Sequence, residues 1–583
     1  MALSLFVVTV AMGAALQLTS AGGDRPRISP AGRDSVRELK RARSAQDEFE
    51  RTRRAHAPRT WDRSPRPCND QLIGRFCFWY GDTAESKPPE EPSRIVSARR
   101  KLLGALASSA RVIAGDDWVA GQRMRYVLEA GDTAAAVALS RECKATGWWC
   151  DALRGFALHA ARDYERADAA FSDALARMPE RERCRWTDLS ALLDDDTRER
   201  YRKLRCEDRA AENARLWWLG DPFHTVPGND RRTEHYSRLT MARMHEQAWN
   251  AHGIAWGDDL RELVVRYGWS TWWTRGEAPL HAPSSAPITG RSRTPAYHFL
   301  PEGRIAADPR ASSERDWPVE GLLRNGKTAQ EYYSPSYAIS VSAMDGDAQL
   351  FRRGDSALAV VTWDATADTR LAGLELDAAV ALTRNEREPA LVRHERGARP
   401  TGVMVATTPW RSMLMSLELL SPRGERGARA RRWVGPTDTL APSGLSGLLL
   451  LDPDAPLPTT LDEALPHVRT GSTVPEGGKV GLFWEAYDVG RDDTLAVTIT
   501  VDRESPGTFR RMAEALRLKR QWTPMSLAWH DPAAESRSVA GQSVVLDLSE
   551  LARGGYRVRV RVTRLGGETL VAERRIEVVG RRR

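Results

Sequence analysis

Carboxylate, imidazole and indole side chains crowd into one stretch of this 583-residue chain. Between residues 213 and 275 lie seven of its tryptophans and four of its eleven histidines, interleaved with acids. Metal ions and metal-activated water need such groups on one helical face or on converging loops. The candidates are Trp217, Trp218, Asp221, His224, Asn229, Arg231, Glu234, His235, Asp258, Asp259 and Glu262. Spacing weighs against a metal centre: His235 and His245 are ten residues apart, about 80° off a common helical face. His245-Glu246 lacks the second histidine of an HExxH pair. The competing account makes Asp221, Asn229, Arg231, Glu234 and Asp258 helix caps and internal ion-pair partners. Geometry separates the two. Three or more of His224, His235, His245, His252, Asp258, Asp259 and Glu262 meeting in a cleft would favour an enzyme, and their scatter a scaffold. The tryptophans divide in the same way. Exposed rings stack on sugars or clasp peptides, and buried ones fill a helix–strand interface, which is the commoner fate. GxSxG, Walker A and GxGxxG signatures are absent from the sequence. No catalytic residue, metal or cofactor is therefore assigned.

The six cysteines, Cys68, Cys77, Cys143, Cys150, Cys184 and Cys206, all lie in one third of the chain. Six cysteines allow about fifteen pairings. The shortest loops cost least chain entropy, which predicts Cys68–Cys77, Cys143–Cys150 and Cys184–Cys206. No CxxC occurs, so zinc-ribbon and thioredoxin readings lose support.

These residues need elements to hold them. Residues 34–57 read as a helix charged nearly all round, which predicts exposure or loose docking. Ser93 opens a second helix with Ile95, Leu102, Leu103 and Leu106 in a stripe. Residues 116–180 repeat. Gly155, Ala167, Phe171, Ala174 and Pro179 fall at tetratricopeptide positions, and Gly121 stands 34 residues before Gly155. Arg231 to Asn250 reads as a long helix, and Leu263 to Tyr267 as β-prone before a turn at Gly268. Beyond a Pro/Ser/Gly-rich connector, alternating apolar runs with regular turns predict two antiparallel β-sandwiches. The fold class is multidomain α+β: a short tetratricopeptide-like α-solenoid followed by β-sandwich modules. The expected boundaries are 1–21 signal peptide, 22–92 Arg-rich segment with a Cys loop, 93–212 helical domain, 213–275 Trp/His-rich segment, 276–335 connector, and 336–470 and 475–580 β-sandwiches.

An apolar run at residues 2–16, followed by Thr19-Ser20-Ala21, matches a secretory signal and is too short for a comfortable span. With six cysteines it predicts export to the periplasm or beyond, with disulfides formed and no integral membrane segment after processing. The net charge of +8 reflects arginine spread along the whole chain, since only eight of the 86 basic residues are lysine. Nucleic-acid binding would gather that charge on one face, so no nucleic-acid partner is expected.

The string WGDDLRELVVRYG, Trp256 to Gly268, resembles the core of the GWxTD-domain family of exported bacterial proteins. LFWEAY (Leu482 to Tyr487) and LSELARGGY (Leu548 to Tyr556) resemble strands of the β-sandwich found in the same proteins. The likeness covers about 213–275 and 475–580, and departs at Trp269-Ser270, where Gly-x-Pro-like residues are usual. It implies an exported, envelope-associated protein and carries no activity with it. The reading is a non-catalytic exported scaffold that binds a protein or peptide on its helical repeat. The alternative is a metal-dependent or other hydrolase centred on 221–262.

Overall fold

The structure is a computed structural model. It describes residues 30–59, 71–78, 88–277, 287–292, 297–313, 316–317, 319, 323–324, 327–328, 330–435, 444–489, 494–504, 524–532, 537–564 and 569–580. The signal-like run, Cys68, residues 506–522, whose sequence suggests a small helix, and residues 565–568, whose sequence suggests a hairpin turn, lie outside the described residues.

Helices come first. α1 (Pro30–His56) packs on α2 (Ser93–Val112), with the small antiparallel pair β1 (Gln71–Ile73) and β2 (Phe76–Phe78) between them in sequence. The expectation of a loosely docked α1 fails. Ala42, Phe49, Glu50 and Arg53 are buried. Glu50 Oε1 accepts from Tyr126 Oη at 2.7 Å and Arg125 Nη2 at 3.1 Å, and Arg53 pairs with Glu129. Charge all round a helix marks exposure only when no partner helix brings opposite charges to offset desolvation.

Two helical hairpins follow: α3 (Asp117–Glu129) with α4 (Thr133–Arg141), and α5 (Gly147–Ala160) with α6 (Tyr164–Arg177). Asp116, Asp132 and Asp163 cap three of these helices, each accepting a backbone N–H of the first turn. At Gly155 a Cβ would sit 2.9 Å from the ring of Phe171, which is why the position needs glycine. Phe171 is buried, and α6 ends two residues before Pro179. Cys143–Cys150 ties the hairpins together, with Cα atoms 5.7 Å apart. Cys184–Cys206 joins α7 (Glu180–Trp186) to the segment after α8 (Asp195–Arg202), at 5.5 Å. Cys77 is disulfide-bonded as well.

After α9 (Arg209–Gly220), α10 (Asp230–His245) lies against α3, α5 and α6 of the two hairpins. It is buried nearly all round, Arg231, His235 and Arg238 included. The long helix stops earlier than its pattern predicts, with Gln247 at φ 57°. α11 (Asp258–Tyr267) covers the segment read as β-prone. Leu260, Val264 and Val265 form one buried face there, so packing overrides β-branching. Gly268 ends it at φ 87°.

Short pairs bridge to the β half: β3 (Trp272–Arg275) with β4 (Ile288–Arg291), then α12 (Gly303–Ala307), then β5 (Leu323–Arg324) with β6 (Lys327–Thr328). β7 (Ser340–Ala343), β8 (Asp345–Arg353), β9 (Ser356–Asp364), β10 (Leu376–Thr383), β11 (Leu391–Ala398), β12 (Thr401–Pro409), β13 (Met413–Ser421) and β14 (Arg426–Val434) build two sheets. Their orders are β11-β10-β13-β14-β7 and β12-β9-β8, and they enclose one core around Trp363, Val380 and Met415. The second unit contains β15 (Leu449–Leu451), α13 (Leu461–Ala464), β16 (Thr473–Pro475), β17 (Lys479–Val489), β18 (Thr494–Arg503), β19 (Met525–Pro532), β20 (Arg537–Asp547), β21 (Gly554–Arg564) and β22 (Thr569–Val579). Its sheets run β15-β17-β20 and β16-β22-β21-β18-β19 around Trp484, Ile499 and Val560. β15 lies within 336–470 yet pairs here, so this unit draws on chain that the sequence boundary gave to its neighbour. Pairing is antiparallel except β7 with β14 and β16 with β22. In sequence, Val480, Leu482 and Trp484 alternate with Gly481 and Phe483 on β17, which predicts one inward face. Both are buried, because Phe483 packs with Phe351 and Leu449 where the two units meet.

Candidate functional site

The turn between α9 and α10 is held by charges from the first β unit. Phe223 within it is fully buried. Strand alternation on β14 turns Arg429 and Arg431 toward the helices. Arg431 Nη1 donates to Leu219 O at 2.9 Å, and Arg429 Nη1 to Pro222 O at 2.7 Å. From β13, Glu418 accepts the backbone N–H of His224 at 2.8 Å and of Thr225 at 3.0 Å, and the hydroxyl of Ser416 at 2.5 Å. Arg431 Nε donates to the same Ser416 oxygen at 3.0 Å, which closes the network. All three charged side chains are buried, so the turn and the sheet act as one piece.

Beside this turn lies a cavity of about 410 Å³. Trp218, Asp221, His224 and Asn229 line it from the helical side, and Thr383, Glu388 and His394 from the β10–β11 hairpin. Four predicted site residues thus meet here. Trp218 Nε1 donates to Thr383 Oγ1 at 3.2 Å, which orients the indole. Asp221 Oδ2 is 3.4 Å from His224 Nδ1. Asp221 Oδ1 and His224 Nε2 are buried and have no hydrogen-bond partner among the described residues. Burial pushes Asp221 up to about 7, against the pull of Arg431. Burial, and then Arg431, holds His224 well below the usual histidine range. With the proton on Nδ1, facing Asp221, His224 keeps a buried lone pair at Nε2 without a donor among the described residues. Asn229 caps α10, accepting from Arg232 N at 2.8 Å and donating to Trp217 O at 2.7 Å.

The other candidates go elsewhere. Trp217 is buried, its ring 5.2 Å from that of His235. Arg231 Nη2 lies 2.8 Å from Glu331 Oε2, both side chains fully buried. Glu234 pairs with Arg238 at 2.6 Å and His159 at 3.0 Å. Burial alone would raise Glu234, but the Arg238 guanidinium and then the hydrogen bond with His159 hold it below the usual carboxylate range. Asp258 is exposed, Asp259 is bound by Arg75 at 2.6 Å, and Glu262 by Arg266 at 2.8 Å. His245 stacks on Trp256 at 4.9 Å, and His252 sits edge-on to Phe76. No group of three or more His, Cys, Asp or Glu fit to hold a metal occurs among the described residues. Sequence reading missed Glu418, Arg429, Arg431, Thr383, Glu388 and His394. The one available signal was the arginine alternation in RGARARRWV, Arg426 to Val434, which reads as an ordinary wet strand face.

The buried acids and imidazoles predict a stability optimum near neutral pH. Asp230, at the start of α10, is pushed up to about 7 by burial and then by Asp221. A carboxyl whose folded value is raised stabilises fully below its unfolded value and loses that contribution as pH rises through 7. Each of Asp221 and Asp230 should cost on the order of 1 kcal/mol between pH 6 and 8. His224, His235 and His245 are all lowered, first by burial. Their unfolded forms protonate below about 6.5, so stability falls again toward acid. Urea melts across this range should be bell-shaped, and Asp230→Asn should flatten the alkaline limb. An unchanged alkaline slope in that variant would show that Asp230 is ionised throughout.

No family model matches this chain, and no curated protein sequence does. Solved structures that show partial likeness include the following three. A family 123 glycoside hydrolase from Clostridium perfringens is 12% identical over 23% of this chain and 27% of its own, with a TM-score of 0.13. Salmonella alpha-2-macroglobulin is 8% identical over 40% and 24%, with a TM-score of 0.19. Red sea bream transglutaminase is 7% identical over 42% and 32%, with a TM-score of 0.14. The matched region spans no more than a third of each of those chains, and likeness at these TM-scores carries no argument about activity.

Proposed function

We propose that this is a non-catalytic, exported binding protein of the bacterial cell envelope, with its ligand site at the cavity beside the α9–α10 turn. The carrying observation is how the acid–base groups of 221–262 are used. Asp259, Glu262, Glu234 and Arg231 are in ion pairs, and His235 and His245 pack against rings. Asp221 and His224 line the cavity, and each keeps a buried atom without a hydrogen-bond partner among the described residues. The hairpins read as a tetratricopeptide-like repeat and the β units as sandwiches. α10 lies on the repeat helices, so a partner peptide there would have to displace it. Two disulfides with unstrained Cα separations support an oxidising compartment. No described helix is long and apolar enough to cross a membrane. Kinship with the GWxTD-domain family rests on the strings around Trp256 and Leu482 and agrees with this location.

A hydrolase is the second reading, because an acid near 7 beside a neutral imidazole can exchange a proton. The purified chain should show no turnover above buffer on chromogenic ester, amide, phosphoester and glycoside substrates. Turnover that vanishes in His224→Ala would overturn the binding reading in favour of the hydrolase.

A further inference from the structure

Resting on the cavity as a binding site, we propose that its ligand is a saccharide, a neutral ring carrying adjacent hydroxyl groups. Two buried acceptors, Asp221 Oδ1 and His224 Nε2, have no partner among the described residues. The His224 side chain is 5% exposed, and Asp221 is 7% exposed as a residue. Buried polar atoms are nearly always paired, and an unpaired one costs about 1–3 kcal/mol, so the groups wait for a donor from outside the chain.

The surrounding charges say what kind of donor. Arg429 and Arg431 stand behind the turn and oppose a cation, adding to the burial that lowers His224. Asp221 on the wall opposes an anion, and Glu388 there is already paired with Arg384. Uncharged O–H groups suit both fields. A hydroxyl also adapts to Asp221 in either protonation state, because it both donates and accepts. Trp218 adds a flat apolar surface whose orientation is set by the bond to Thr383, the partner that the C–H face of a sugar ring requires. The volume of about 410 Å³ lies in the range of small-molecule sites. The polar rim formed by Glu388 and His394 would meet the remaining hydroxyls.

The test is to probe the full chain on a glycan array and on a random short-peptide array. Array hits are then titrated as methyl glycosides, following tryptophan fluorescence. Saturable glycan binding should weaken about tenfold or more in Trp218→Ala and Asp221→Ala, the loss of one good polar or stacking contact. It should weaken less in His394→Ala, an exposed rim change that leaves the core untouched and keeps the test valid if the buried variants unfold. Glycan binding unaltered by all three changes would place the sugar elsewhere and overturn the proposal. Peptides retained, glycans not, and peptide binding lost in Trp218→Ala would overturn the saccharide while leaving the cavity as the binding site. Silence on both arrays would overturn the two readings together.

Discussion

Val560→Asp should unfold the C-terminal β unit. Val560 is fully buried on β21 and sits in register between Ile499 on β18 and Ala572 on β22. Tyr556, Val558 and Val562 share its face, and Arg574, the buried cation opposite Val558 there, is already paired with Asp347 at 2.8 Å. A carboxylate placed there has no partner and must be desolvated or protonated. The expected loss exceeds about 4 kcal/mol, the range reached only by buried-charge and large-cavity changes. Circular dichroism should show the β signal falling and its cooperative transition disappearing. Arg561→Asp on the wet face should stay within about 0.5 kcal/mol. Arg559→Asp is a different case, since Arg559 Nε is 2.6 Å from Glu573 Oε1 and its Nη1 is 3.7 Å from Asp502. It exchanges two attractions for repulsions and should cost about 1 kcal/mol. A Val560→Asp protein with an unchanged urea midpoint would mean that the register of β21 is misplaced.

Glu418→Ala should cost about 3–5 kcal/mol, the usual penalty for removing one partner from a buried charge cluster. Its carboxylate receives the two backbone N–H groups of the α9–α10 turn and faces Arg429 and Arg431. Burial already lowers both guanidiniums, and without Glu418 their remaining nearby acid is Asp221, itself pushed up to about 7. Asp221 should then ionise and the turn should loosen. Hydrogen exchange at residues 219–225 would rise together with the drop in denaturant midpoint. Glu418→Gln keeps an acceptor and should lose less. Equal midpoints for Glu418→Ala and the unaltered chain would show that apolar packing around Phe223 alone joins helices to sheet.

Local pattern carried much of this architecture. The stripe in α2, the Gly155–Phe171 contact, the Cys143–Cys150 and Cys184–Cys206 pairs and the alternation in β21 were all legible, since each rests on residues close in sequence. Elements whose neighbours are distant were not. β10 is alanine-rich and β14 arginine-rich, so neither advertises a strand until β13 lies between them. α1 looks like a solvated helix until Arg125 and Glu129 arrive from α3. The same division runs through the candidate site. Residue types and spacing marked Trp218, Asp221, His224 and Asn229 and excluded HExxH chemistry. They could not separate these four from Asp258, Asp259 and Glu262, which share their composition and lie on another helix. The tertiary structure alone decided that difference, by bringing β13 and β14 about two hundred residues along the chain to the α9–α10 turn. Whether a buried acid is a cap, a pair or a free acceptor depends on the charge that folding sets beside it, and that charge belongs to a distant strand.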